Sequence, residues 1–489
     1  MNALAKILQW PADEADLVGL ALWDAVAIAR ATGGVAVGEF QVSGVEIDSR
    51  DVVPGDLFFA LKGESMDGYR FVEMAFARGA AAVVVDRPVD GPHVLVDDTT
   101  VALVRLARAA RERADAKVIG VTGSVGKTGV KEAIFAALDR SSRGNAHRSV
   151  KSYNNHVGVP LSLARMPGRS KFGVFEMGMN HAGEIAALTA QVRPHVAVIT
   201  TIAPAHIEML GSMEAIADAK AEIFEGLQPG GTAVIPADSP HYDQLKAAAE
   251  RLGATAIGFG KSAHADVRLL DAVPAAGGGS LVTADLGDRR VCYTVAEPGE
   301  HWIANSLAVM AAVRAAGGDL GAAGLALAEM QGMKGRGQRH TLKAGGGDGT
   351  GRALLIDESY NANPASMKAT LAQLGATPAR RRIAVLGAMK ELGEHGPAFH
   401  AALAGPIGAA GVDYAVLVGD EMRALADEMG KQGLGALGKT IAFAHCGTAA
   451  EALETLRSHG VEGGDAILVK GSNSVGLGAL VSALEQNKE

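Results

Sequence analysis

Cysteine is almost missing from this chain of 489 residues, with only Cys292 and Cys446 present. They stand far apart and neither has a CxxC or zinc-type partner. That excludes a disulfide framework and a cysteine-built zinc site, and marks both as inert thiols of a reducing compartment. Aromatic residues are scarce at 4%, while Gly reaches 63 residues. The cores must therefore be built from Val, Leu, Ile and Ala, as in parallel α/β sheets. A basic excess is also lacking: 46 Lys and Arg stand against 54 Asp and Glu, a net charge of −8. A surface that tracks nucleic-acid phosphates needs the opposite balance, so no nucleic-acid partner is expected. The one basic run, Arg380, Arg381 and Arg382, reads as the solvated start of a strand. No long uninterrupted hydrophobic run occurs either. Residues 17–29 are apolar, but Asp24 breaks them, so an amphipathic helix is expected there instead of a signal peptide or a membrane span. The expected location is the cytoplasm.

The length implies two to four domains, and three textures divide the chain. Residues 1–110 contain short strand-like stretches at 45–48, 55–61 and 80–85. Residues 111–334 open with a strand at 117–122. Apolar runs follow at 172–175 and 196–200, and further strands between 232 and 295. Residues 335–489 alternate strands at 353–356, 383–386, 414–418, 441–444 and 466–469 with helical stretches such as 365–374 and 448–459. That alternation predicts a parallel sheet with right-handed crossovers. The predicted fold class is α/β in three domains: a small N-terminal unit, a central P-loop unit and a C-terminal Rossmann-like unit. The Gly-rich segment 345–352 is expected to be a surface turn.

The strongest chemical signal is Thr122-Gly123-Ser124-Val125-Gly126-Lys127-Thr128, after a predicted strand and before a predicted helix at 130–138. A phosphate loop needs this context. Its glycines let backbone N–H groups curl toward phosphate oxygens, and the helix N-terminus adds a favourable dipole. Lys127 is expected to reach the β/γ-phosphates and the Thr128 hydroxyl to ligate magnesium. The full Walker pattern asks for Gly where Val121 stands, so the loop is a shortened G-x-x-G-K-T. Four matched positions arise by chance in roughly a few per cent of such chains, before the strand and helix context is added. Downstream, Glu176 ends an apolar strand, a suitable place for a magnesium-holding carboxylate. Taken singly, His206 reads as a structural histidine and Lys220 as the polar face of a helix.

Together, Gly123 to Thr128, Glu176, His206 and Lys220 resemble, in order and spacing, the Mur ligases, ATP-dependent amide-forming enzymes of peptidoglycan precursor synthesis. His206 and Lys220 are fourteen residues apart, as in that family. The resemblance implies ATP bound by Gly123, Ser124, Val125, Gly126, Lys127, Thr128 and Gly129. It implies two Mg²⁺ ions on Thr128, Glu176, His206 and Lys220, with Lys220 carbamylated. An ammonium beside Mg²⁺ is repelled and its pKa pushed down; the neutral amine can then capture CO₂ and become an anionic ligand.

The likeness covers nearly the whole chain. Asp48-Ser49-Arg50, 54–58, 60–63 and Asp67-Gly68 are similar to the family's nucleotide-sugar domain, which implies that Ser49 and Arg50 contact UDP. His301 and Asn305 are similar to its ATP-side pair, Arg336 to the arginine near the γ-phosphate, and Asp357 to the aspartate on the ATP ribose. Each also has a plainer reading, as a helix-capping residue or a surface charge. Residues 154–160, 176–184, 360–364 and 469–474 resemble the branch that adds D-alanyl-D-alanine to UDP-muramoyl-tripeptide. In that branch Asn154 and Asn155 contact the acceptor. Asn361, Asn363 and Ser472, in the loop 470–474, face the dipeptide or the ATP. His181 is a candidate acid/base or substrate contact, with a structural role equally open. The resemblance also implies a monomer, domain closure about the linker 334–339, and small-molecule partners only. Three positions depart from the family: Thr201 in place of Asn, Ala205 in place of an acid, and Gly129 where Thr or Ser is commoner. A sister ligase adding diaminopimelate or lysine, and a non-catalytic nucleotide-binding protein, are the alternatives.

Overall fold

The computed structural model describes residues 21–63, 66–205, 207–276, 278–345, 351–432 and 441–486. Three sheets organise them. The first has five strands in the order Val35–Val37, His93–Leu95, Ala82–Val85, Asp56–Phe59, Gly44–Glu46, parallel except at the Val35 edge. The second has nine strands. Its parallel part runs Ala146–Arg148, Phe172–Glu176, Lys117–Thr122, Val196–Ile199, Thr232–Pro236, Thr255–Gly260, Val267–Pro274, and two antiparallel strands, Ser280–Asp285 and Arg290–Val295, extend its far edge. The third orders Gln338–Lys343, Arg352–Glu358, Asp465–Lys470, Arg381–Gly387, Tyr414–Val418, Ala442–Cys446. All its pairs are parallel but the first.

The scarcity of aromatics shows directly in the cores. Under the central sheet, Ile119, Val121, Val174, Val196, Val198 and Val234 pack against Val130, Ala133, Ile134 and Ala137 of the helix Lys127–Ser142. Small and β-branched side chains suit strands buried on both faces. The helix Glu300–Ala315 is buried on the same side over residues 306–313.

The N-terminal sheet is tied to the central unit by polar clamps. Trp23 Nε1 donates to the Ala164 carbonyl at 2.9 Å, and the Arg113 guanidinium lies 3.4 Å above the Trp23 ring. Arg165 pairs with Glu46 at 2.5 Å, and Arg111 donates to the carbonyls of Val192 and Arg193.

Two sequence expectations require correction. The helix expected over 17–29 begins at Ala25, and Trp23–Asp24 form a short strand with Gln41–Val42; residues 17–20 lie outside the described residues. The interrupting Asp24 is the N-cap, its Oδ1 accepting from Ala27 N at 2.7 Å. The triple arginine does enter a strand, Arg381–Gly387, and Arg380 is exposed, but the other two side chains are held by the protein. Arg381 forks onto the buried Asp465 at 2.9 and 2.6 Å, while Arg382 donates to the Leu374 and Thr377 carbonyls. Of the segment 345–352, residues 346–350 lie outside the described residues; its ends pair as Ala344 N to Gly351 O.

The linker between the second and third sheets turns at Gly335 and Gly337, both at positive φ (73° and 88°), where a side chain would be strained. Asp357, buried at the end of its strand, accepts from Gly335 N at 2.7 Å, and its carbonyl accepts from Gly337 N at 2.8 Å. Beside this turn Glu297 is buried, and that burial, aided by the nearby Glu358, lifts its carboxyl to about 7. A carboxylate raised this way contributes stability that is complete below its unfolded value near 4.5 and lost as pH rises through about 7.

Two outcomes test this account. Glu297→Gln is expected to flatten the fall in melting temperature between pH 5.5 and 8.5; an unchanged slope would place the titration elsewhere. Asp465→Ala is expected to cost the C-terminal unit roughly 2–3 kcal/mol in denaturant unfolding, the low side of breaking a buried pair because Arg381 keeps partial solvent contact.

Candidate active site

The strand Lys117–Thr122 and the helix Lys127–Ser142 meet at the phosphate loop. Gly123 holds φ 144°, and a Cβ there would sit 1.9 Å from Thr200 Oγ1, so only glycine fits. The neighbouring strand end pins the loop: Thr200 Oγ1 donates to Val125 O at 2.6 Å, Ser124 N donates to Thr201 O at 2.9 Å, and Ser124 Oγ donates to Ala203 O at 2.8 Å. Thr201, one of the departures from the family pattern, thus acts here through its carbonyl, which any residue supplies.

Glu176, at the C-terminal end of the adjacent parallel strand, is buried. Thr128 Oγ1 donates to its Oε2 and Asn154 Nδ2 to its Oε1, both at 2.8 Å. No cluster of three His, Cys, Asp or Glu forms a metal cage among the described residues. Magnesium does not require one, since it keeps waters and shares substrate phosphates with one or two protein oxygens. A buried carboxylate beside a phosphate-loop hydroxyl, whose hydrogen-bond donors among the described residues are neutral, fits such an ion. His206 lies outside the described residues. Lys220 is buried in the helix Met213–Ala221. Burial first, and Lys127 second, hold its ammonium well below the usual lysine range, opposed by Glu222.

One cavity of about 620 Å³ joins these elements to the C-terminal domain. From the loop come Ser124, Val125, Gly126, Lys127 and Gly129, and from the central sheet Asn154, Asn155 and Glu176. His301 and Asn305 enter from the helix Glu300–Ala315, and Arg336 from the linker. Asn361, Asn363, Lys470 and Ser472 close it from the far side. Lys127 Nζ donates to Gly123 O at 2.7 Å, and its pKa is lowered by burial, with Arg336 adding to the effect and Glu176 and Glu391 opposing it. Arg336 reaches Ser152 Oγ at 3.0 Å, bridging the linker to the central domain, and lies 4.3 Å over the Tyr360 ring. His301 is pushed down to about 4 by burial and Lys470, so its imidazole is neutral at neutral pH.

Several expected contacts serve local structure as well. Asn155 Oδ1 accepts from Val157 N and Gly158 N at a helix start; Asn363 caps the helix Pro364–Ala376; Ser472 Oγ accepts from Lys390 N. His181 is exposed and pairs with Glu184, a cavity residue, at 3.0 Å. Ser49 is buried, and Arg50 is exposed and clasps Asp48, holding that carboxyl down to about 2. Neither lines the cavity. The adjacent Asp51 meets Lys151 at 2.7 Å, one residue from Ser152, which connects the N-terminal domain to the cavity rim. Asp357 does not face the cavity as expected. Its carboxylate is taken by Gly335 N and by the Ser359 amide and hydroxyl, the last at 2.6 Å.

Sequence reasoning missed Lys131, Trp302 and Lys390. Lys131 is fully buried and donates to the Ser149 and Lys151 carbonyls at 2.8 and 3.1 Å, which holds the loop leading to Asn154. Its place one turn after Lys127, on the sheet-facing side of the helix, was the available signal. Lys390 lines the cavity and pairs with Glu421.

Three family models match the chain in order: the Mur ligase family catalytic domain over 41–122, the Mur ligase middle domain over 121–313, and the Mur ligase glutamate ligase domain over 347–473. The UDP-N-acetylmuramoyl-tripeptide–D-alanyl-D-alanine ligase of Synechocystis is 38% identical over 91% of this chain and 92% of that protein. The Escherichia coli enzyme of the same name is 33% identical over 92% and 95%. Among solved structures, MurF from Acinetobacter baumannii superposes with a TM-score of 0.80 at 29% identity, covering 96% of this chain and all of that one. MurF from Thermotoga maritima in complex with ADP gives 0.73 at 26% identity, over 91% and 98%. With its three lobes matched in sequence and its phosphate loop, buried glutamate and linker arginine gathered on one cavity, this chain belongs to the Mur ligase family.

Proposed function

We propose that the cavity joins D-alanyl-D-alanine to the terminal carboxylate of UDP-N-acetylmuramoyl-tripeptide, with ATP cleaved to ADP and phosphate. The observation that carries this reading is the convergence on one space of Lys127, Glu176, Arg336 and Lys470, drawn from two domains and their linker. Relatives named for this reaction match over nine-tenths of the chain.

A carboxylate is a poor electrophile because its oxide is a poor leaving group. In the first step a carboxylate oxygen bonds to the γ-phosphorus as the β,γ-bridging P–O bond breaks and ADP leaves. In the second the dipeptide amine bonds to the carbonyl carbon, the C–O bond to phosphate breaks, and the nitrogen loses a proton. Lys127 and Arg336 neutralise charge on the transferring phosphoryl group. Thr128 and Glu176 would hold a magnesium ion, which would supply further charge neutralisation there, and His206 and Lys220 complete the metal set we infer. Asn154 and Asn155 orient the acceptor. Asn361, Asn363 and the loop with Lys470 and Ser472 receive the dipeptide. Ser49 and Arg50 meet the UDP moiety, and His181 is the candidate that accepts the amine proton. Water competes for an acyl-phosphate, so closure about the linker protects it.

We further infer that Lys220 carries a carbamate. Its Nζ bonds to the carbon of CO₂ and releases a proton, a step favoured because burial lowers the pKa of its ammonium. ATP and UDP-linked substrates place the reaction in the cytoplasm. Because one chain supplies the whole cavity, a monomer suffices.

The direct test mixes UDP-muramoyl-tripeptide, D-alanyl-D-alanine, Mg²⁺ and ATP and measures UDP-pentapeptide and ADP. Product formed only with free diaminopimelate or lysine would assign the sister activity. ATP turnover independent of both substrates would overturn ligation. Lys127→Ala is expected to lower kcat by about a thousandfold or more. Lys220→Ala is expected to lose turnover and regain part of it with a short carboxylic acid; full activity without the acid would exclude the carbamate.

A further inference from the structure

Gly129, just past the phosphate-loop threonine, has no room for a side chain, and the structure shows what fills the space beside it. A Cβ at residue 129 would lie 2.8 Å from Trp302 Cη2 and 3.0 Å from Cζ2, so the indole rests directly on the glycine. Trp302 sits in the first turn of the helix Glu300–Ala315, and Gly129 in the first turn of Lys127–Ser142. Those two helix starts flank the phosphate loop, with Asn305 Oδ1 3.0 Å from where a Cβ of Gly126 would stand. The His301 and Trp302 rings are 6.3 Å apart, and both line the cavity.

The loop's polarity orients this wall. Lys127, with Arg336 and Glu176 nearby, marks the β/γ end of a bound triphosphate, and backbone N–H groups of the loop cradle the α/β end. Residue 129 comes just past Thr128, and the surface beside it is the apolar ring of Trp302. We propose that Trp302 is a nucleoside-binding residue whose flat face receives the ribose and base of ATP, and that Gly129 exists to seat it. An aromatic face binds a base by stacking and needs no hydrogen-bond register. Gly129 and Trp302 then form a coupled pair, in which either substitution alone is harmful.

This inference rests only on the ATP-binding part of the proposed function. ADP binding, measured by titration calorimetry, reports on it whatever the acceptor and amine prove to be. Trp302→Ala is expected to weaken ADP by about tenfold, while inorganic tripolyphosphate binds within twofold of the unmodified protein. Trp302→Phe, which keeps a ring, is expected to hold ADP within about threefold. Gly129→Ser alone is expected to weaken ADP through collision with the indole, and to be neutral or favourable in the Trp302→Ala background. Unchanged ADP affinity in Trp302→Ala would overturn the proposal. So would equal losses of ADP and tripolyphosphate, which would mean a disturbed loop, or strictly additive effects of the two substitutions.

Discussion

The carboxylate of Glu176 is the point on which the central domain is organised. It is buried at the end of a parallel strand, and its two oxygens are held by Thr128 on one side and Asn154 on the other. Those bonds join three separate pieces of chain: the helix after the phosphate loop, the central strand and the loop leading to the acceptor side. Burying a carboxylate is costly unless it is hydrogen-bonded. The geometry that satisfies Glu176 therefore also sets the distance between the phosphate loop and Asn154. Lys131 reinforces it from below, because its ammonium is spent on the carbonyls of Ser149 and Lys151, and Ser149 Oγ in turn accepts from Glu176 N at 3.2 Å.

The second constraint is the linker. Gly335 and Gly337 make a turn that only glycine adopts without strain, and Asp357 holds both amides, one by its side chain and one by its carbonyl. Arg336 is thereby aimed between the domains, with its guanidinium on Ser152 of the central domain and over Tyr360 of the C-terminal one. A single residue then senses both halves of the cavity. Asp357 thereby fixes the backbone on either side of that arginine.

Much of the architecture was legible because strand and helix periodicities are local. The strands Lys117–Thr122 and Tyr414–Val418 match their sequence-based bounds, and Phe172–Glu176 runs one residue beyond its expected end to include the glutamate itself. The phosphate loop was legible because glycine, lysine and threonine have steric and chemical roles that fix their spacing. What escaped depends on packing between distant segments. Nothing near Arg381 in sequence indicates that Asp465 will be its buried partner. Trp302 carries no motif, and its meaning arises only from the glycine 173 residues earlier on which it rests. Asp24 showed the opposite failure. The sequence reading places it inside an amphipathic helix as the residue that interrupts an apolar stretch, although an aspartate followed by a helical run is the usual mark of a helix start.

Charge explains why these pieces belong together. Lys127 lowers the pKa of Lys220, and Arg336 lowers those of Lys127 and Lys470. Each of these cations is also penalised by burial, and Glu176, Glu358, Glu391 and Glu222 offset only part of that cost. Mutually repelling cations held in a low-dielectric space favour any ligand that brings several negative charges. On the function proposed above, a triphosphate does so, meeting Lys127 of the central domain and Arg336 of the linker in the one cavity they line. The repulsion among these cations in the protein alone becomes attraction toward that anion, so the charges that favour nucleotide binding are the same ones proposed to stabilise phosphoryl transfer.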